Sequence, residues 1–151
     1  MNACMTIEEI AAYDLQHNQK DRKESVADCV NQVLNMKKNG WHCDRINNTL
    51  FITKDEGAYV CFHTMTAETL KQLVKSVIQF YEMQFKRGKK FVYTYFTNPT
   101  LKRVFAKGFG AETFAPVEGN IKDKYKVIID LEKLLKVKNT SAYYKNILGC
   151  K

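Results

Sequence analysis

The stretch that most constrains the fold runs from Thr66 to Thr97. Leu70, Leu73, Val74, Val77, Ile78, Tyr81 and Phe85 recur there at spacings of three and four, the stripe of an amphipathic helix. The spacing predicts a helix from a Thr66 cap to about Arg87, stopped by Gly88. "FVYTYFT", Phe91 to Thr97, follows almost at once. It is β-branched and aromatic on both alternating faces, as a strand covered on two sides would be. A long one-faced helix leading into such a strand points to an ordered α/β or α+β globule.

The flanking segments extend that reading. Val26, Cys29, Val30, Val33 and Leu34 mark an amphipathic helix within Lys20 to Lys38, with Gly40 as its stop, and Ile7, Ile10 and Ala11 suggest a shorter helix over Thr6 to Tyr13. After Gly40 the period changes. Trp41 to Ile46, Leu50 to Thr53 and Ala58 to Thr64 read as three consecutive antiparallel strands, with turns at Asn47-Asn48 and Asp55-Glu56-Gly57. Beyond the doubly covered strand, Asn98 and Pro99 open a short helix with Leu101, Val104 and Phe105 inward and Gly108 at its end. A short strand follows near Ala111 to Ala115, then a loop through Gly119 and a strong strand from Tyr125 to Leu131. Residues 1–131 read as a single domain, and 132–151 as a basic, partly helical tail with Tyr143, Tyr144, Ile147 and Leu148 at helical spacing.

At 151 residues a domain buries roughly two thirds of its unfolded surface and needs no disulfide or metal staple. No apolar run approaches the length of a membrane helix, and Glu8 and Glu9 stand where a signal peptide would carry positive charge. The five cysteines, Cys4, Cys29, Cys43, Cys61 and Cys150, include no C-x-x-C pair and fit reduced thiols in a cytoplasmic setting. The sequons at Asn47 and Asn139 then carry no meaning. His42, Cys43, Cys61 and His63 lack the close pairing of structural zinc ligands, so no metal site is expected.

Charge is the other informative feature. The formal net charge is +8, and Lys86, Arg87, Lys89, Lys90, Lys102, Arg103 and Lys107 form a run with no acidic residue between them. Such a face either solubilises the protein or meets an anionic partner, nucleic acid among them. Tyr93, Tyr95 and Phe96 lie between its two halves, the ingredients of a single-strand-binding surface. Alternation and coverage by helices assign most of them to the core instead.

The element order, together with "NPTLKRVFAKGFGAE" from Asn98 to Glu112, resembles the GNAT superfamily of N-acetyltransferases over roughly Lys20 to Leu131. The resemblance implies an α/β fold: a mixed sheet of about six strands, N-terminal helices, a long central helix and a short C-terminal helix. It also implies a splayed parallel strand pair, here around Val60 and Val92, that admits acetyl-coenzyme A (acetyl-CoA). Two of the superfamily's chemical features have no counterpart. Its Q/R-x-x-G-x-G/A loop, whose backbone N–H groups reach the pyrophosphate, corresponds to "HTMTAETLKQ" from His63 to Gln72, which has no glycine. Glu68 there is expected to place negative charge in the first helical turn. The tyrosine that protonates the leaving thiolate corresponds to Phe105, which has no proton to give. Cys61, with His63 two residues on, is a conceivable nucleophile but reads as a buried core thiol.

The expectation is therefore a GNAT-like protein without catalysis or cofactor, acting as a binding or structural module. In general character it is similar to GNAT-like virion-associated proteins of tailed phages, with a protein partner or virion assembly implied and no membrane. The rival is a divergent acetyltransferase holding acetyl-CoA through Val60, Cys61 and Phe62, with Thr66 and Asn98 as further contacts. A third reading is a nucleic-acid binder that uses the basic face.

Overall fold

The computed structural model describes residues 5–17, 23–96, 112–116 and 125–137. In chain order the elements are α1 (Ile7–His17), α2 (Val26–Lys38), β1 (His42–Ile46), β2 (Thr49–Glu56), β3 (Tyr59–Thr66), α3 (Leu70–Lys86), β4 (Phe91–Phe96), β5 (Glu112–Pro116), β6 (Tyr125–Asp130) and α4 (Leu131–Val137). Six strands form one sheet in the order β1-β2-β3-β4-β6-β5. β1 and β2 pair antiparallel around the Asn47-Asn48 turn, where Asn47 adopts φ +54°, the left-handed geometry that tight hairpins require. β3 and β4 pair in parallel with α3 between them, since parallel neighbours need a crossover. β6 pairs antiparallel with both β4 and β5.

Three helices open with the same device. Thr6 with Glu9, Ser25 with Asp28, and Thr69 with Gln72 each exchange side-chain and backbone hydrogen bonds across one turn, so that two orphan N–H groups are satisfied at each start. These bonds hold the Glu9 carboxyl below its ordinary pKa, the Thr6 backbone N–H contributing most. The helix expected from Thr66 thus begins later, behind Thr69. Gly88 ends it as expected: at φ +85° its N–H reaches the Phe85 carbonyl, and Lys89 N–H reaches Gln84. Asp55 and Glu56, expected in a turn, are the last residues of β2, and the turn itself is Gly57-Ala58. β3 runs two residues further than expected, to Thr66.

The chain divides into two compact units, one of Met1–Lys54 with His63–Phe80 and one of Asp55–Phe62 with Tyr81–Lys151. In the first, Ile10 and Ala11 of α1, Cys29 and Val33 of α2, and Leu50, Ile52 and Met65 of the strands form one buried cluster. Phe51, on the opposite face of β2, stacks on Phe80 of α3 at 4.4 Å, so strands in this unit are covered on both faces. Leu34 and Leu70, expected inside, are exposed. In the second unit Val60, Phe62, Val92, Val127 and Ile129 are buried on one face, with Tyr81 of α3 edge-on to Phe62 at 6.1 Å. Phe85, expected inward, is exposed. Leu131 and Leu134 bury one side of α4, and Asp130 accepts from Lys133 N–H at its start. The expected helix over Asn98 to Gly108 and the tail beyond Val137 lie outside the described residues.

Candidate functional site

The start of α3 is built as a closed polar knot within the first unit. Glu68 is 9% exposed, and Thr49 and Ser76 are fully buried. One carboxylate oxygen of Glu68 accepts from the hydroxyls of both Thr49 and Ser76. With its proton directed to Glu68, Thr49 must accept from Thr66, 2.6 Å away. Thr66 in turn accepts from Glu68 N–H, which closes the ring. Asn47 donates to Ser76 at 2.9 Å, and Thr66 N–H donates to Asp14 at 3.4 Å. Glu68 is therefore not in the first helical turn, as expected, but precedes the Thr69 cap with its side chain folded under it. The backbone donors of Glu68, Thr69 and Gln72 all end on side chains of the same segment.

The second unit presents a different arrangement on β3 and β4. Their ladder has three pairs, Tyr59–Phe91, Val60–Val92 and Cys61–Tyr93. At the next position the Thr94 hydroxyl donates to the Phe62 carbonyl at 2.6 Å. Alternation puts Tyr59, Cys61, Phe91, Tyr93 and Tyr95 on the face opposite the buried one. Tyr59 stacks on Phe91 at 4.7 Å, and Tyr93 meets Tyr59 and Tyr95 edge-on at 6.5 and 6.0 Å. Tyr59 is 40% exposed; Phe91, Tyr93, Tyr95 and Ile128 are half-buried. Among the described residues this face is thus less completely buried than the other. The Tyr93 hydroxyl donates to Glu56 at 2.6 Å. Partial burial first, then Glu56 and the nearby Cys61 thiol, hold its pKa above the ordinary phenol value. Burial does the same at Tyr95.

Cys61 is 6% exposed beside Tyr93, while the His63 ring packs against Trp41 in the first unit, 5.5 Å between centroids. The two residues serve different surroundings. Burial pushes the Cys43 thiol up, away from the thiolate that metal binding needs. Among the described residues no three His, Cys, Asp or Glu side chains group as metal ligands. Of the basic run, Lys86, Arg87 and Lys90 are exposed. Lys89 is committed locally: its ammonium meets Asp55 at 2.6 Å and the Gly57 carbonyl at 2.8 Å. Asn98, Lys102, Arg103, Phe105 and Lys107 lie outside the described residues. No described helix is long and apolar enough to cross a membrane.

Sequence reasoning missed Thr49, Ser76 and Tyr59. A T-x-x-Q pattern at Thr69 to Gln72 could have located the true cap. No sequence signal could have joined Thr49 and Ser76 to Glu68.

No model of a known protein family matches the chain, and none of the curated proteins does. Solved structures do match in shape. FdhC, a nucleotide-linked sugar GNAT in its apo form, superposes with a TM-score of 0.57 at 15% identity, covering 94% of this chain and 92% of that one. A probable acetyltransferase from Staphylococcus epidermidis gives 0.56 at 11% identity, over 82% and 91%. A putative acetyltransferase from Salmonella typhimurium, solved with acetyl-CoA, gives 0.53 at 13% identity, over 83% and 86%. At such identities the likeness is one of backbone architecture, and with the mixed sheet and its crossover helix it establishes that this chain has the fold of the GNAT N-acetyltransferase superfamily.

Proposed function

We propose that this chain uses the GNAT fold as a binding module and does not grip acetyl-CoA in the superfamily's usual manner. The observation that carries the reading is the Glu68 knot. A pyrophosphate at the start of the long helix needs backbone N–H groups aimed outward and no negative charge beside them. Here Glu68, Thr69 and Gln72 N–H groups are taken by Thr66, Gln72 and Thr69 side chains, and a buried carboxyl precedes the helix cap. The residues present do not fit the group. Phe105 at the acid position supports the same reading, because it has no proton for a leaving thiolate.

The test is a calorimetric titration with acetyl-CoA at low and moderate salt. The expected result is no saturable heat, or weak heat that disappears with salt. Stoichiometric binding that survives salt overturns the reading and puts a divergent acetyltransferase in its place. One observation favours that second reading: the β3–β4 ladder has three pairs and ends at Cys61–Tyr93, close to where the superfamily's parallel strands part for the cofactor.

A further inference from the structure

We propose that Asn39-Gly40, at the end of α2, is a modification site: Asn39 deamidates there at a rate set by opening of the helix cap. The proposal does not depend on which ligand the chain binds.

The chemistry is local. The Gly40 nitrogen attacks the side-chain carbon Cγ of Asn39, the Cγ–Nδ2 bond breaks, and the Gly40 N–H proton ends on the ammonia that leaves. Water then opens the five-membered succinimide ring, at one carbonyl to give aspartate and at the other to give isoaspartate. Nothing is oxidised or reduced. A following glycine suits the attack because no Cβ shields its nitrogen, and this is the one Asn-Gly pair in the chain. Both residues are exposed, and a Cβ built on Gly40 would meet nothing within 4 Å, so water and base can approach. Lys37 and Lys38, also exposed in the last turn of α2, favour the anion that the Gly40 nitrogen becomes as it attacks.

The fold opposes this chemistry with a cap. Gly40 adopts φ +90°. Its N–H donates to the Lys37 carbonyl at 3.2 Å, and Trp41 N–H donates to the Met36 carbonyl at 3.0 Å, the paired bonds with which helices end at glycine. The Asn39 carboxamide donates to the Asn35 carbonyl at 3.0 Å. Nucleophile and electrophile are thus each held by a different carbonyl, and both must be released before the ring can close. Deamidation therefore follows local opening of the end of α2. Its product cannot restore the cap. A carboxylate has no proton for the Asn35 carbonyl and sits at the negative end of the helix dipole. Isoaspartate also lengthens the main chain between Met36 and Trp41, which both pack against the core of the first unit.

The experiment is peptide mapping by mass spectrometry of the full chain, incubated at mildly alkaline pH either folded or in guanidinium chloride. Asn39→Gln, which cannot form the five-membered ring, is the control. The expected result is that Asn39 converts before every other asparagine in the unfolded chain, with isoaspartate among the products. In the folded chain it converts more slowly by about tenfold or more, because the cap bonds must open first. Asn39→Gln should stay intact at that position in both states. The thermal midpoint of the converted, folded protein should fall by about 2–4 °C, the shift that one lost net hydrogen bond gives a chain of this size. Equal rates in the two states, an Asn39 that stays intact in the folded chain over several weeks, or a converted protein with an unchanged midpoint would each overturn the proposal.

Discussion

The two units handle polar and aromatic groups in opposite ways. In the first, a glutamate lies at 9% exposure because Thr49, Thr66 and Ser76 supply hydroxyls around it, and charge is nearly balanced, 9 basic residues against 8 acidic. In the second, one sheet face is sealed by Val60, Val92, Val127 and Ile129, while the other carries four aromatic rings at partial exposure. Stability requires a sheet to bury one face. The first unit spends polar residues on internal order, and the second leaves apolar ones available outside. A buried polar group must be satisfied to be tolerated, whereas a half-buried aromatic ring needs no partner to be stable.

The largest effect should come from opening the knot. Glu68→Ala leaves the Thr49 and Ser76 hydroxyls buried without their acceptor, at about 1–3 kcal/mol each, so a loss of about 2–5 kcal/mol in chemical denaturation is expected. Glu68→Gln retains an oxygen that can accept both bonds and should cost much less. Equal stability of Glu68→Ala and the wild type would erase the contrast between the units. This knot also marks the limit of what the sequence discloses. Helices α2 and α3, strands β1 to β4 and the Gly88 stop all follow from periods of 3.6 and 2 and from glycine at positive φ, which are local properties. Glu68 was legible only as a charge near a helix start, because its partners stand 19 and 8 residues away. The same locality explains Tyr59: alternation assigns its face, but exposure depends on which elements pack there.

A smaller effect is expected where the β3–β4 ladder ends. Thr94→Val removes the donor to the Phe62 carbonyl with little change of shape, and a single net hydrogen bond is worth about 0.5–1.5 kcal/mol. If the loss is below that range, the bond does not secure this end of the sealed face. Smaller again is the ion pair of Lys89 with Asp55. The Asp55 side chain is 61% exposed and that of Lys89 16%, so a double-mutant cycle with Lys89→Ala and Asp55→Ala should give about 1 kcal/mol or less, decreasing with salt. A larger coupling would mean that the second unit depends on charge as the first depends on hydroxyls.

The smallest effect at neutral pH, and the one most specific to the aromatic face, is its response to alkali. The Tyr93 and Tyr95 phenols are held above their ordinary value, which for an unfolded chain is about 10. The folded state therefore keeps its protons at a pH where the unfolded chain releases them. By linkage their contribution to stability is fully present below about 10 and declines as pH rises from there through the raised folded values. Denaturation midpoints should not change on this account around neutrality and should fall in alkali. Tyr93→Phe has no proton to lose, keeps the ring in place and should flatten part of that fall. If the variant and the wild type decline in parallel, the Tyr93 phenol is as accessible to solvent as in the unfolded chain. The hydrogen bond to Glu56 would then not count as holding the Tyr93 ring in one position.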